Sequence, residues 1–174
     1  MTVTMHDTTI VIVDTHAHTG ASYTRFVLYC DQQGVVYKTA FSRGQPADYT
    51  MQAVGSVVAD QQHPYAAAVR AYCAGDSAAL STIPHQPRTA MTPFQRAVYQ
   101  AMSRIPYGQV RSYKELAAAA GYPGAARAVG TACKNNPLPL LVPCHRVVPA
   151  TGGIGNYLYG TAAKEALLRL EGAL

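Results

Sequence analysis

The sequence predicts an α+β protein whose N-terminal half is built on β-strands and whose C-terminal half is mostly helical. Over roughly the first 60 residues, β-branched and aromatic residues alternate between turn-forming residues, which is typical of strands. From Thr92 onward, helix-capping motifs and helical apolar spacing take over. The intervening segment, 81–93, holds three prolines and few regularly spaced apolar residues, as a linker would. We therefore expect two domains, 1–88 and 89–174.

The N-terminal half is predicted to contain three strands and one helix. The strands fall at Ile10–Val13, Tyr23–Tyr29 and Val35–Phe41, and the last two form a hairpin through Asp31–Gly34. A helix is expected from about Pro64 to Tyr72.

The C-terminal half is predicted to contain four helices. Thr92-Pro93-Phe94-Gln95 and Ser112-Tyr113-Lys114-Glu115 are capping boxes, which open helices running to about Ser103 and to Gly121. Pro123 introduces a third helix, roughly Ala125–Cys133, and a fourth spans about Ala162–Glu171. Two short helices joined by a tight glycine-containing turn predict a helix-turn-helix.

The composition limits where in the cell the protein is expected. No apolar run reaches the ~20 residues that span a bilayer, so no membrane association is expected. The first residues lack a basic segment and carry Asp7 and Asp14, so we expect a cytoplasmic or nucleoid-associated protein that is not secreted. The four cysteines should then stay reduced.

Charge is divided unevenly along the chain. Residues 1–85 hold four Lys and Arg against six Asp, a net −2, whereas residues 86–174 hold ten against three Glu, a net +7. Such asymmetry indicates that the C-terminal half meets a polyanion, although a merely solubilising basic surface is an alternative.

Neither a structural metal nor the chemistry of the barrel-shaped amidohydrolases is expected. Asp14-Thr15-His16-Ala17-His18 contains the HxH pattern of amidohydrolases, but their barrel needs at least ~200 residues, more than the 174 present. The remaining possible ligands have no diagnostic spacing, so we predict no structural metal: His16, His18, Cys30, Cys73 and His85.

The third helix of the C-terminal half carries one long side chain, Arg127, among Ala125, Ala126, Ala128 and Gly130. Small residues allow close helix–helix packing, with the arginine reaching water. In a basic helix-turn-helix, close approach to nucleic acid is the favoured interpretation.

The segment 136–148, NPLPLLVPCHRVV, concentrates the chemistry. Its Leu and Val residues between prolines predict a buried extended chain that delivers Cys144 beside His145 and Arg146. A thiol is a strong nucleophile only as the thiolate, which an adjacent base or positive charge favours. Neighbouring side chains of an extended chain point in opposite directions, so Cys144 and His145 need a bend or a bridging water to communicate. A structural cysteine beside a surface histidine is the alternative.

This segment resembles the signature of the O6-alkylguanine-DNA alkyltransferases. The agreement extends over about 80 of 174 residues, through TPFQRAVYQAM, IPYGQVRSYKELA, AARAVG, NPLPLLVPCHRVV, GGIGNYLYG and KEALLRLEG. The resemblance implies an RNase H-like β-sheet domain followed by a helical domain with a helix-turn-helix.

The resemblance also implies a catalytic set. Cys144 matches the alkyl acceptor, His145 the base that draws the thiol proton through a water, and Glu171 the carboxylate that orients this histidine. Asn136 matches the residue that braces the active-site turn, and Tyr113 the donor to the guanine ring.

A second set of residues is expected to contact the DNA and the damaged nucleobase. Arg127 matches the finger that fills the space of an extruded nucleotide, on a helix that enters the minor groove. The other residues expected to bind DNA are Gln95, Lys114, Ala126, Ala128, Gly130 and Lys134. The base pocket is expected from Val147, Tyr157, Leu158 and Tyr159, the last bulky enough to disfavour large adducts.

The implied function is direct-reversal repair of double-stranded DNA bearing O6-alkylguanine, once per molecule, by a monomer without metal or cofactor. A non-catalytic lesion sensor of the alkyltransferase-like type is the alternative, but it lacks the reactive cysteine. A transcription regulator would read base edges with several polar side chains, and 125–130 offers almost none.

Overall fold

A computed structural model describes residues 8–15, 25–43, 57–58 and 62–174. The fold is of mixed α+β type, as the sequence predicts, and it divides into two compact units, Met1–Arg88 and Thr89–Leu174. None of the helices in the described ranges is both long and apolar enough to cross a bilayer.

The N-terminal unit contains a four-stranded sheet in the order β3-β2-β1-β4. Its strands are β1 Thr9–Asp14, β2 Arg25–Cys30, β3 Val36–Ser42 and β4 Val57–Val58. The first three are antiparallel neighbours, whereas β4 pairs with β1 in parallel. The predicted strands are confirmed, although Tyr23 lies outside the described residues. Ile10, Val11, Phe26 and Val27 are almost fully buried, so apolar burial stabilises both faces of these strands.

A tight turn fixes the β2–β3 hairpin where it was predicted. The Asp31 carboxylate accepts hydrogen bonds from the backbone N–H of Gln33 and Val35, both at 2.9 Å. Gly34 has φ +79°, a conformation that favours glycine. Helix α1, Pro64–Cys73, follows β4 and confirms the predicted helix to within one residue.

The segment predicted as a linker is partly built into the N-terminal unit. After a 3₁₀ turn at Ala79–Thr82, Val36 N–H donates to the Pro84 carbonyl and Gln86 N–H donates to the Val36 carbonyl, both at 2.9 Å. The expectation of a linker from residue 81 is therefore wrong for its first part. Proline lacks an N–H but keeps its carbonyl, so Pro84 can still pair with a strand edge.

The C-terminal unit is mostly helical, and capping boxes start two of its helices. Thr92 caps α2, Pro93–Ser103, and Ser112 caps α3, Tyr113–Ala119; both predicted boxes are confirmed by reciprocal hydrogen bonds of 2.7–3.1 Å. The remaining helices are α4, Ala126–Lys134, and α5, Thr161–Leu170. The designation of α3 and α4 as a helix-turn-helix stays a prediction.

Short strands tie the start of α3 to the loop that holds the cysteine. Strand β5, Arg111–Ser112, runs parallel to β6, Val147–Val148, with Arg111 opposite Val147. Cys144–Arg146, immediately before β6, form a 3₁₀ turn. Val147 directly follows the turn, and its partner Arg111 lies two residues before Tyr113. The pairing therefore brings the first residue of α3 near the end of the Cys144 turn.

Segment 136–143 is buried as predicted, but the expectation of an extended chain is wrong. Leu140 has φ +74°, and Val142 N–H donates to the Leu138 carbonyl at 2.8 Å, so the segment folds into a turn. Asn136 stabilises the turn from within: its Nδ2 donates to the Val142 carbonyl at 2.8 Å, and its Oδ1 accepts from Leu138 N–H at 3.0 Å. The buried backbone finds its hydrogen bonds in this side chain rather than in a neighbouring strand.

Candidate functional site

Cys144 opens onto a large cavity of the C-terminal unit. The cavity has a volume of about 910 Å³, and Cys144, only 5% exposed, forms part of its wall. Helices α3 and α4 contribute the predicted residues Tyr113, Lys114, Ala126, Arg127, Gly130 and Lys134. The loop before α5 contributes Tyr157 and Leu158. The structure thus gathers nine of the residues singled out in the sequence around one space.

The environment of Cys144 keeps it a thiol at rest, although several neighbouring groups oppose this effect. Burial raises the pKa of Cys144. A hydrogen bond from the Asn136 side chain, the charge of Lys164 and backbone N–H groups at 144 and 145 lower this pKa. Because the raising effect dominates, deprotonation requires a base.

His145 lies on the same 3₁₀ turn as Cys144, and its side chain is bound to a carboxylate. Its Nε2 is 2.7 Å from Oε1 of Glu171, and both side chains are fully buried. The carboxylate holds the proton on Nε2, which leaves the lone pair on Nδ1. Within the described residues, Nδ1 has no hydrogen-bond partner. Burial lowers the pKa of His145 despite the attraction of Glu171, so the imidazole is neutral and able to accept a proton.

Arg146 fixes Glu171 from the other side, a role that the sequence analysis missed. Its Nε donates to Oε2 and its Nη2 to Oε1 of Glu171, both at 2.9 Å, and its Nη1 donates to the Ile105 carbonyl at 2.7 Å. Gly108 N–H donates to Oε2 at 3.3 Å. A bidentate arginine fixes the plane of the carboxylate. The available signal was the arginine that directly follows Cys144-His145.

Lys164 is a second residue of the Cys144 environment that the sequence analysis did not single out. It is fully buried on α5, and Nζ donates to the carbonyls of Val147 at 2.5 Å and Asn156 at 3.2 Å. Burial lowers its pKa, whereas Cys144 and Cys133 raise it. The signal was its spacing: Lys164 precedes Leu168 by four residues and therefore belongs to the apolar stripe of the helix.

Tyr113 and α4 form one wall of the cavity. Burial raises the pKa of Tyr113, so its phenol stays protonated and can donate. A Cβ placed on Gly130 would lie 3.9 Å from the Tyr113 ring. Arg127 and Ala128 are exposed, whereas Val129 and Ala132 are buried. The side of α4 that carries Arg127 is therefore free of the unit's core.

Some predicted residues are not part of the cavity wall. Gln95 uses its side-chain oxygen for the α2 capping box. Val147 is fully buried, and its carbonyl accepts from Lys164. Tyr159 packs edge-on against Tyr157, with ring centroids 5.8 Å apart, and is not part of the wall.

Metal ligation finds no support in the described ranges of the chain, where no three His, Cys, Asp or Glu side chains are grouped to hold an ion. His16 and His18 lie outside those ranges. Cys30, Cys73, Cys133 and Cys144 are all free thiols.

Comparisons with known proteins agree on one family. A family model described as "6-O-methylguanine DNA methyltransferase, DNA binding domain" matches residues 93–173. A Salmonella typhimurium methylated-DNA–protein-cysteine methyltransferase is 50% identical over 103 residues, 59% of each chain, so less than two thirds of that relative is matched. The human protein of the same name is 49% identical over 89 residues, 51% of this chain and 43% of its own.

Solved structures extend the similarity to nearly the whole chain. The crystal structure of the Mycobacterium tuberculosis O6-methylguanine methyltransferase has a TM-score of 0.73 and 31% identity, covering 95% of this chain and 93% of that one. A structure of the Mycobacterium tuberculosis protein in complex with DNA has the same TM-score at 30% identity, covering 94% and 92%.

Proposed function

Since the chain belongs to the O6-methylguanine-DNA methyltransferase family, we propose that it repairs DNA by moving the alkyl group of O6-alkylguanine onto Cys144. The observation that carries the proposal is the position of this thiol at the cavity wall, beside a buried His145–Glu171 pair linked at 2.7 Å. A structural cysteine would not need an oriented base.

The transfer is a single displacement at carbon. The thiol proton of Cys144 passes through a water molecule to Nδ1 of His145, and the sulfur bonds to the alkyl carbon. The bond between that carbon and O6 breaks, and its electron pair stays on the guanine. A hydrogen bond or proton from Tyr113 to the ring makes the guanine a better leaving group. The resulting thioether is stable in water, so each molecule acts once.

The damaged base must leave the helix stack to reach the sulfur. Eversion costs a few kcal/mol of stacking and pairing, and a cavity of about 910 Å³ has room for a purine. Arg127, exposed on α4, enters the stack in place of the everted nucleotide and offsets part of this cost. The small residues Ala126, Ala128 and Gly130 let α4 approach the narrow minor groove.

The proposed partner is double-stranded DNA that carries O6-alkylguanine, and the chemistry requires neither metal nor diffusible cofactor. DNA repair places the protein with the genome, in the cytoplasm or nucleoid. Lysine and arginine side chains around the cavity mouth, such as Lys114, Arg127 and Lys134, would contact phosphates.

Mass spectrometry tests the proposal directly. After one exposure to duplex DNA with a single O6-methylguanine, the protein should gain one methyl group, located on the Cys144 peptide. Cys144→Ser should gain none. Cys133→Ser removes a thiol from the same cavity and is the matched control, which should still be methylated. Methylation of Cys144→Ser would overturn the assignment, and tight lesion binding without methyl gain would indicate lesion sensing instead.

A further inference from the structure

A buried positive charge with no carboxylate partner lies behind the cavity. The Lys164 side chain is fully removed from solvent, and within the described residues no Asp or Glu forms an ion pair with its Nζ. A buried ammonium is unfavourable unless it is hydrogen-bonded and its charge is balanced. The carbonyls of Val147 and Asn156 provide the hydrogen bonds but no full negative charge.

The groups whose negative charge would favour this ammonium are two thiols of the cavity wall, Cys144 and Cys133. The other titratable groups that act electrostatically within this cluster are Tyr99 on α2, Tyr113 on α3 and His145 on the 3₁₀ turn. The Lys164 ammonium also lies 5.9 Å from the centre of the Tyr113 ring. Arg146, the other nearby cation, is already bound to Glu171.

Lys164 also connects two parts of the pocket. Val147 follows the turn that carries Cys144, and Asn156 belongs to the cavity wall just before Tyr157. A Cβ on Gly155 would come within 2.9 Å of the Pro149 ring and would lie 3.7 Å from Nζ, so Gly155 packs tightly against Pro149 and lies in ordinary contact distance of the ammonium. One ammonium is thus hydrogen-bonded both to the residue that follows the Cys144 turn and to a residue of the cavity wall.

We propose that Lys164 is a positioning residue for alkyl transfer: its ammonium is the counter-charge of the Cys144 thiolate, and it holds the Val147 and Asn156 carbonyls at the pocket edge. The proton leaves Cys144 for His145, and the negative charge on sulfur is then stabilised by Lys164 until the new carbon–sulfur bond forms. The role in transfer rests on the proposed function, whereas the role in thiol ionisation does not.

Alkylation by iodoacetamide in the absence of DNA tests the counter-charge. The rate at the Cys144 peptide is followed against pH for the wild type and for Lys164→Met, Lys164→Gln and Lys164→Arg. Removing the charge should move the midpoint of the profile upward by about one pH unit, which is about a tenfold slower reaction at neutral pH. Lys164→Arg keeps the charge and should recover part of the loss. Lys164→Gln keeps a hydrogen-bond donor, and it serves if Lys164→Met does not fold.

Arg169→Met is the matched control, because it removes an exposed cation from the same helix. Its profile should coincide with that of the wild type. A folded Lys164→Gln or Lys164→Met with an unshifted midpoint would overturn the proposal and leave Lys164 a purely structural role. A shifted midpoint in a protein whose wild type accepts no methyl from DNA would refute the proposed function while sustaining the counter-charge.

Discussion

At the scale of single residues, few charged groups surround the Cys144 sulfur, and each is held in place by hydrogen bonds. Glu171 accepts hydrogen bonds from His145 and from Arg146, so one carboxylate orients the imidazole and is itself fixed by a guanidinium. This arrangement stabilises the neutral imidazole: burial outweighs the attraction of Glu171, and Arg146 opposes a second positive charge nearby. The thiol and the imidazole are both uncharged at rest, and the charge separation occurs only when the proton moves.

A pH dependence follows from the lowered pKa of His145. The imidazole accepts a proton only while it is neutral, and its pKa lies below the usual value of about 6.5. The single-turnover rate of methyl transfer at saturating DNA should therefore still exceed half of its plateau value at pH 6.5 and should fall to half only at a lower pH. The apparent value belongs to the Cys144–His145 pair. A rate already halved at or above pH 6.5 would show that the imidazole is not held neutral by burial.

At the scale of elements, short local signals predicted most of the helices and strands. Each capping box is encoded within four residues, and both occur where Thr92 and Ser112 were expected to act. The loop before Cys144 was not predictable in the same way. Its turn depends on a positive φ at Leu140, a residue type that gives no such signal, and on the Asn136 side chain reaching a carbonyl six residues away. The spacing of Lys164 places it on the apolar stripe of α5, but only tertiary packing decides that a lysine there is fully buried.

Helix α4 supplies the test at this scale. Arg127→Ala should slow methyl transfer from duplex DNA by at least about tenfold while leaving transfer from the free base O6-methylguanine nearly unchanged, because the finger offsets only the cost of eversion. Arg127→Lys, which keeps the charge but shortens the side chain, separates insertion from phosphate attraction. Transfer rates from duplex and free base are compared for each variant. Equal losses on both substrates would remove the finger role.

At the scale of the whole molecule, the sequence predicted the C-terminal half in more detail than the fold of the N-terminal half. Motifs cover the C-terminal unit, where the family model matches residues 93–173. The N-terminal unit carries only a pattern of buried strands, which many sheets share, so its RNase H-like assignment stays a prediction.

The uneven charge is a property of the full chain: residues 86–174 carry a net +7. Two of their ten cations are not available to DNA, because Lys164 is buried and Arg146 is bound to Glu171.

The difference between exposed cations and cations that are buried or already paired predicts the salt dependence of DNA binding. The exposed cations of the C-terminal unit include Arg96, Arg104, Arg111, Lys114, Arg127 and Lys134. If about five reach phosphates, the logarithm of the binding constant for undamaged duplex should fall with the logarithm of salt concentration at a slope of about −4.5. Lys114→Ala should reduce the magnitude of this slope by about one. Lys164→Gln should leave it unchanged, since a buried ammonium releases no counterion. Fluorescence anisotropy over a salt series measures the slopes, and a flat wild-type response would reject the C-terminal unit as the DNA-binding face.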